Sequence, residues 1–226
     1  MSIGLSRRKP RAVSLEEGAA PGAPRCPACG EPLFVWVESE GFGPREDQVV
    51  DRCENCGLAA ARDSVPSPGE ALAQLLGETE GANGGSREAV TFRAPNSASL
   101  QAWLGAENWA ALRPADHRVK PTPEAVKLLL ASRGLEPRRI RSLAGAGMAS
   151  MWQTLLNLLT FHRDFASEAA SGRLRPGTGR GRAAYAIDVM VTILAAIPTA
   201  ILAVMLEASA VLARRGGVIE VTAARR

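Results

Sequence analysis

The sequence predicts an α+β protein, in which a small β unit that carries cysteines is followed by a mostly helical domain with a small sheet. Three observations lead to this prediction. Two Cys-x-x-Cys-Gly motifs enclose short segments rich in valine. Farther along the chain, capping residues delimit apolar segments with helical spacing. A segment of alternating character follows the last of these segments, as expected of a strand.

Length and composition exclude several classes of protein. A chain of 226 residues that is 46 % hydrophobic and 22 % charged can bury a core, so wholesale disorder is not expected. The formal net charge of +4 does not by itself indicate a nucleic-acid partner. Four cysteines are too few for a disulfide scaffold of this length, and the first residues lack the apolar core of a signal peptide. We therefore expect a cytoplasmic protein.

Changes in composition divide the chain into four segments. Residues 1–24 are basic and interrupted by glycine and proline, which predicts a disordered tail. Residues 25–58 contain the four cysteines, and residues 59–88 are poor in large apolar side chains, as is typical of a linker. Residues 89–226 form the second domain, which includes a long apolar helix predicted at 183–213.

The two cysteine motifs are the most specific feature of the sequence. Cys26-Pro-Ala-Cys29-Gly30 and Cys53-Glu-Asn-Cys56-Gly57 are turns in which two thiolates can point at one metal ion while the glycine permits a tight backbone. Two such turns complete a tetrahedral shell without an open position, so the predicted zinc ion is structural. The predicted ligands are Cys26, Cys29, Cys53 and Cys56.

The residues between the motifs are consistent with a zinc ribbon. Leu33-Phe-Val-Trp-Val and Gln48-Val-Val-Asp-Arg can form the arms of a hairpin that turns at residues 41–44. The alternative is a redox-active cysteine pair. That chemistry requires a single pair beside a thioredoxin-like β-α-β pattern, which this sequence lacks.

The best-defined element of the second domain is a helix over residues 122–134. Thr122 is suited to cap it, Pro123 to occupy its first turn and Gly134 to end it. The other predicted elements are a strand at 90–94, a short helix capped by Ser97 that runs to Leu104, a strand at 139–143, helices at 148–170 and 183–213, and a last strand that begins at Gly217.

Several motifs from Val90 onward follow one another in an order that is found in a known family. They are Phe92-Arg-Ala-Pro95-Asn96, Trp109, Pro114-Ala-Asp-His117, Thr122-Pro123-Glu124 with the helix up to Gly134-Leu135, and the segment that starts at Gly216. In order and spacing, this part of the chain resembles the distal half of class I S-adenosylmethionine-dependent methyltransferases. The resemblance implies a truncated Rossmann-like domain that retains the fifth, sixth and seventh strands of the family's sheet. An N-terminal cysteine ribbon is also familiar in such relatives.

The sequence departs from this family where the cofactor would bind. Such a site needs a glycine-rich turn directly after the first strand and an acidic residue after the second. Residues 58–88 have room for neither, and the glycine run at 81–85 follows no apolar strand, so we interpret it as a flexible turn. We therefore predict no cofactor-binding residues in this chain. S-adenosylmethionine would bind only if another chain supplied the missing half.

The segment 189–206 contains no charged residue and allows three interpretations. At about 1.5 Å per residue, it is nearly long enough to span a membrane. It could instead form a pair of amphipathic helices, divided at Pro198, that cover the residual sheet. In the third interpretation it lies on a membrane surface with its basic flanks. Arginines occur on both sides of the segment, so charge gives no orientation.

No catalytic residue can be assigned from the sequence. His117 has no nucleophile in a recognisable turn around it, which favours a structural or solvent-facing role over that of a general base. We interpret His162 as an edge residue of an apolar helix. The tryptophans Trp103, Trp109 and Trp152 are interpreted as packing anchors rather than as the lining of a pocket.

Two functions are consistent with these features. The first is a methyltransferase-like protein without its own cofactor half, inactive alone or one part of a split methyltransferase. The second is a non-enzymatic zinc-ribbon adaptor that docks on a partner or a membrane through its apolar C-terminal helices. We expect a protein partner and no nucleic acid, and membrane association is compatible with both functions.

Overall fold

The computed structural model describes residues 24–39, 48–77, 89–112, 118–172 and 180–225. Within these ranges the protein is built from small antiparallel sheets and α-helices, which confirms the predicted α+β class. Four predicted features lie outside the described residues: the basic tail up to residue 23, the hairpin turn at 41–44, the glycine run at 81–85 and His117.

The described elements alternate between strands and helices along the chain. The strands are β1 (Leu33–Ser39), β2 (Gln48–Cys53), β3 (Ala59–Ala61), β4 (Ala89–Pro95), β5 (Val119–Lys120), β6 (Leu135–Ser142) and β7 (Val218–Arg225). The helices are α1 (Pro68–Gly77), α2 (Leu100–Gly105), α3 (Pro123–Ala131), α4 (Ala144–Asn157), α5 (Phe165–Ala170) and α6 (Arg180–Leu212). Short 3-10 turns lie at Arg62–Ser64, Ala106–Asn108 and Ala110–Leu112.

The first sheet has the order β1-β2-β3-β5 and is antiparallel throughout. β1 and β2 are the two arms of the predicted hairpin, with Leu33 opposite Cys53. β3 pairs with β2, and β5 adds to β3 through the pair of Ala59 and Lys120. The cysteine unit therefore shares its sheet with a strand from the second half of the chain.

Part of the predicted linker at 59–88 is folded and packed. Residues 59–77 form β3, a 3-10 turn and α1, and the apolar side chains of α1 are buried in the core. α1 begins with a capping box. The N–H and hydroxyl of Ser67 donate to the Glu70 carboxylate, each over 2.8 Å, and the N–H of Glu70 donates back to the Ser67 hydroxyl.

The second sheet has the order β4-β7-β6, and β7 is antiparallel to both of its neighbours. β4 and β6 therefore run parallel to each other. Because α3 lies in the connection between them, the three elements form a split β-α-β unit around β7. This is the small residual sheet that the sequence predicts, whereas its Rossmann-like character stays a prediction.

The two faces of the second sheet differ in polarity. Ile219 and Val221 of β7 are buried in the core. Glu220 lies between them on the opposite face, where it pairs with Arg93 of β4 and Arg141 of β6. Such alternation is typical of an antiparallel sheet that has one face on the core and one face in water. A doubly wound parallel sheet, by contrast, is covered by helices on both faces.

One hydrophobic core joins the two sheets. Leu33 and Leu58 of the cysteine unit pack in the same cluster as Phe92 and Val221 of the second sheet. The buried faces of α1 and α3 complete this cluster. The ribbon and the second domain are thus held together by shared apolar burial.

The capping predictions are confirmed for α3 but not for α2. Thr122 caps α3, and Gly134, with a φ of +68°, follows it. α2 is capped by Ser99 rather than by Ser97. The hydroxyl of Ser97 instead donates to the carbonyl oxygen of Gly57 over 2.8 Å. Both serines fit the cap pattern, and the tertiary contact of Ser97 decides between them.

The single helix predicted at 148–170 is wrong, because this segment forms α4 and α5 with a turn between them. Asp164 adopts a left-handed conformation with a φ of +58°, which no helix can continue through. The side chain of Asn157 holds the turn. Its oxygen accepts from the N–H of Asp164 over 2.8 Å, and its amide nitrogen donates to the Asp164 carboxylate over 3.2 Å.

α6 starts and ends close to the predicted bounds of 183–213 and continues through Pro198. The interpretation of this segment as two helices divided at Pro198 is therefore wrong. Trp152 of α4 and Thr199 donate side-chain hydrogen bonds to carbonyl oxygens of the turn that precedes this proline. Pro198 has no N–H to donate to the preceding turn, and these side-chain bonds supply donors to backbone oxygens in the same region of α6.

Candidate metal centre and exposed apolar helix

The two cysteine turns have the same backbone geometry. In each turn the N–H of the glycine donates over 2.8 Å to the carbonyl oxygen of the first cysteine, from Gly30 to Cys26 and from Gly57 to Cys53. Both glycines have a positive φ, +79° and +72°. Glycine adopts this conformation without the steric cost that a Cβ would add. The glycines therefore let each turn fold back beneath its two sulfurs.

These turns bring four sulfur atoms together. The Sγ atoms of Cys26 and Cys56 are 3.4 Å apart, those of Cys29 and Cys53 are also 3.4 Å apart, and all four lie within 4.8 Å of one another. A tetrahedral zinc site with bonds of about 2.3 Å has its sulfurs about 3.8 Å apart. The four cysteines are free thiols and could hold a metal ion such as zinc. This is the cluster that the sequence predicts.

Hydrogen bonds between the thiols separate their pKa values. The bond with Cys56, supported by the N–H groups of Cys29 and Ala28, lowers the pKa of Cys26 to about 5 although burial opposes it. The same bond, together with burial, raises the pKa of Cys56, and burial raises the pKa of Cys53. One thiolate is thus favoured at neutral pH. The raised pKa values of Cys53 and Cys56 disfavour their ionisation, and a bound cation would favour it.

The second cysteine turn is anchored to the rest of the protein by two hydroxyls. Thr122 donates to the carbonyl oxygen of Cys56, and Ser97 donates to that of Gly57. The fit is close, since a Cβ at Gly57 would lie 2.7 Å from Cγ2 of Thr122. The candidate metal centre therefore contacts the N-terminus of α3 directly.

A buried carboxylate attaches α6 to the body near the N-terminal end of the helix. Asp188 is fully buried and accepts hydrogen bonds from the N–H groups of Phe161 and His162 over 2.7 and 2.9 Å. Its carboxylate also lies 2.6 Å from Nδ1 of His162. His162 thus lies in the loop after α4 and binds α6 through its backbone and its ring.

A second buried carboxylate makes the corresponding attachment near the other end of α6. Glu207 is fully buried and accepts from the amide of Gln101 over 2.7 Å and from the N–H of Gly217 over 2.8 Å. The same amide donates to the carbonyl oxygen of Gly147 over 2.7 Å. This close packing needs glycine, since a Cβ at Gly147 would lie 1.9 Å from the Glu207 carboxylate.

Between these attachments α6 packs along α4 on one side and is exposed on the other. Ala203 of α6 packs against Met151 and Leu155 of α4. Asp188 and Glu207 are the charged residues between positions 183 and 213, so the exposed side carries no charge there. Its largest side chains are Ile187, Met190, Ile193, Leu194, Ile197, Ile201, Leu202, Val204, Met205 and Leu212. Among the described residues, α6 is the one helix long and apolar enough to cross a membrane.

The tryptophans take three separate positions. Trp109 is fully buried and packs edge-on against Trp36, with ring centroids 6.1 Å apart. Trp152 binds the backbone of α6 through its ring nitrogen. Both are packing anchors, as predicted. Trp103 is 72 % exposed, so its interpretation as a packing anchor is wrong.

The attachments made by Asp188 and Glu207 could not be found from the sequence. In the sequence these residues only mark the limits of an uncharged segment. Their hydrogen-bond donors come from the loop after α4, from α2 and from the residue before β7, which are brought to α6 by the fold.

Comparison of the chain with protein-family models, with curated proteins and with solved structures gives no match. Function must therefore be inferred from the geometry of the metal centre and of α6.

Proposed function

We propose that the protein is a non-enzymatic, zinc-stabilised docking module whose interaction surface is the exposed side of α6. The single observation that carries this proposal is the polarity of that helix. Over its apolar stretch the two carboxylates point into the body, while bulky side chains such as Ile193 and Ile197, 70 % and 74 % exposed, face outward. A large contiguous apolar patch on a protein surface is a mark of an interaction site.

The metal centre supports this function by stabilising the body that presents α6. Four thiolates form a complete shell for zinc and leave no position for a substrate, so the role of the ion is structural. Three of the ligands, Cys26, Cys53 and Cys56, belong to the core that also contains α1, α3 and the second sheet. Zinc binding therefore adds to the folding free energy of the whole body. Reduced thiols of this kind fit a cytoplasmic protein.

Fractionation of cells that express the full chain tests the proposal. The wild type should be found with membranes or in a complex larger than the monomer. The variant Ile193→Asn/Ile197→Asn should be a soluble monomer, because both side chains are exposed and their replacement leaves the core intact. Leu128→Asn on α3 is a matched control, since Leu128 is also exposed and apolar. Equal distributions of the wild type and the double variant, both folded, would contradict the proposal.

A second candidate function is one half of a split methyltransferase. It is supported by the order of the second sheet, in which two parallel strands connected through α3 enclose an antiparallel strand. β4 lies at the edge of this sheet, which is where the strands of a missing half would be added. The sequence resemblance from Val90 onward supports the same candidate.

Isothermal titration with S-adenosylmethionine tests the second candidate. The isolated chain should give no heat of binding, and tight binding would show that this chain builds a cofactor site alone. The complex purified with the wild-type chain should bind the cofactor if the protein is half of an enzyme. Absence of binding by that complex would contradict the split methyltransferase and leave the docking module as the function.

A further inference from the structure

We infer that the exposed side of α6 lies in the plane of a membrane surface that contains anionic lipids. This inference rests on the proposed function and names what the docking module binds. The exposed side chains of the helix enter the apolar layer below the headgroups, and exposed arginines at both ends of the helix bind lipid phosphates. The protein is then attached to one leaflet and does not cross the membrane.

The attachments of α6 determine this orientation. Asp188 and Glu207 are separated by 19 positions, or roughly 28 Å along a helix. Both are bonded to the same folded body, Asp188 through the loop after α4 and Glu207 through Gln101 of α2 and Gly217 before β7. If α6 crossed a bilayer, these two attachments would lie near its opposite surfaces, and α4 and the rest of the body that joins them would have to pass through the hydrocarbon. Buried polar groups without partners are strongly unfavourable there. With the helix parallel to the surface, both attachments remain intact.

The distribution of charge decides between a second copy of the chain and a lipid surface. Arg182 lies at the N-terminal end of α6 and Arg214 and Arg215 lie just beyond its C-terminal end, and all three are exposed. In a two-fold dimer with antiparallel helices, Arg182 of one copy would lie near Arg214 and Arg215 of the other. In a parallel dimer each arginine would meet its own counterpart. Both arrangements bring like charges together, whereas anionic headgroups complement them.

A loop next to α6 also exposes apolar side chains. Phe161 is 56 % exposed, and its N–H is bonded to Asp188, so this aromatic residue lies beside the N-terminal part of α6. Leu158 and Leu159, in the same loop, are also exposed. The described part of the body therefore exposes further apolar side chains next to α6, and these would add to the area available for insertion into a membrane surface.

Flotation with lipid vesicles tests the inference with the full, zinc-loaded chain. We expect binding to vesicles of equimolar phosphatidylcholine and phosphatidylglycerol to be at least about tenfold stronger than to phosphatidylcholine alone, and to weaken as salt is added. The variant Arg182→Gln/Arg214→Gln/Arg215→Gln should lose this preference. Ile193→Asn/Ile197→Asn should lose binding to both kinds of vesicle, and Leu128→Asn should bind as the wild type does.

Several results would overturn the inference. Equal binding to both kinds of vesicle would show that the arginines do not recognise anionic headgroups. Resistance of cell-membrane-bound protein to alkaline carbonate would indicate a span, and a dimer dissociated by Ile193→Asn/Ile197→Asn would indicate a second copy. If Ile193→Asn/Ile197→Asn changes fractionation in cells but the wild type does not bind vesicles, the inference fails while the proposed function stands. If these replacements change neither measurement, both fail.

Discussion

The hydroxyl of Thr122 joins the cysteine cluster to α3, because it donates a hydrogen bond to the carbonyl oxygen of Cys56 while it accepts one from the N–H of Ala125. A single side chain thus caps a helix and holds a ligand-bearing turn in place. Thr122 is buried, so water cannot replace either bond.

Replacement of this residue should therefore affect both the helix and the metal centre. Thr122→Val keeps the shape of the side chain and removes both hydrogen bonds, which should lower the free energy of unfolding by about 1–2 kcal/mol. Thermal denaturation should show a melting temperature about 4 °C lower. Thr122→Ser retains the hydroxyl and should be close to the wild type. If the two variants are equally stable, the hydroxyl does not connect these elements.

Removal of the metal should destabilise the whole body rather than the ribbon alone. The chain should bind one zinc ion, and Cys53→Ser or a strong chelator should lower the melting temperature of the entire transition, because the ligands share the core with the second sheet. Zinc affinity should fall as the pH falls, since the thiols must lose their protons to bind. Mass spectrometry of the native protein measures the metal content, and circular dichroism measures the melting temperature. A second sheet that melts independently of zinc would contradict this coupling.

Two glycines of α4 provide a matched test of how α6 is attached. A Cβ at Gly147 would overlap the Glu207 carboxylate, whereas nothing lies within 4 Å of a Cβ at Gly145. Gly147→Ala should lower the free energy of unfolding by about 2–3 kcal/mol. Gly145→Ala should leave it unchanged or slightly higher. Hydrogen exchange should show faster opening of the C-terminal half of α6 in Gly147→Ala alone. Equal exchange in both variants would mean that Glu207 does not hold the helix.

The ion pairs of Glu220 predict a pH-dependent contribution to stability. Burial opposes its ionisation, but hydrogen bonds from Arg141 and Arg93 outweigh burial and hold its pKa below the usual range. A lowered pKa in the folded state stabilises the protein above the unfolded pKa, and this contribution disappears as the pH falls through the folded pKa. Urea denaturation should therefore show Glu220→Gln to be less stable than the wild type by about 1 kcal/mol at pH 7. The difference should vanish in strong acid, and a constant difference would contradict the assignment.

The cluster of four cysteines was predictable from the sequence, whereas the surroundings of α6 were not. Each Cys-x-x-Cys-Gly turn is a local structure whose spacing alone brings two sulfurs together, and the caps of α3 at Thr122 and Gly134 are local in the same way. Asp188 and Glu207 depend on donors far away in the chain. For the same reason, a sequence pattern cannot show that β7 lies between β4 and β6, since strand order is set by contacts between distant residues.

The central place of β7 also determines when the second sheet can form during synthesis. β4 and β6 leave the ribosome first but have no strand between them until β7 emerges, and Ala89 pairs with Ala224. α6 precedes β7 in the chain and is therefore synthesised while the sheet is still incomplete. The order of synthesis therefore places the most apolar helix of the described chain before the strand that lets the second sheet close, so this sheet cannot fold until its last strand is made.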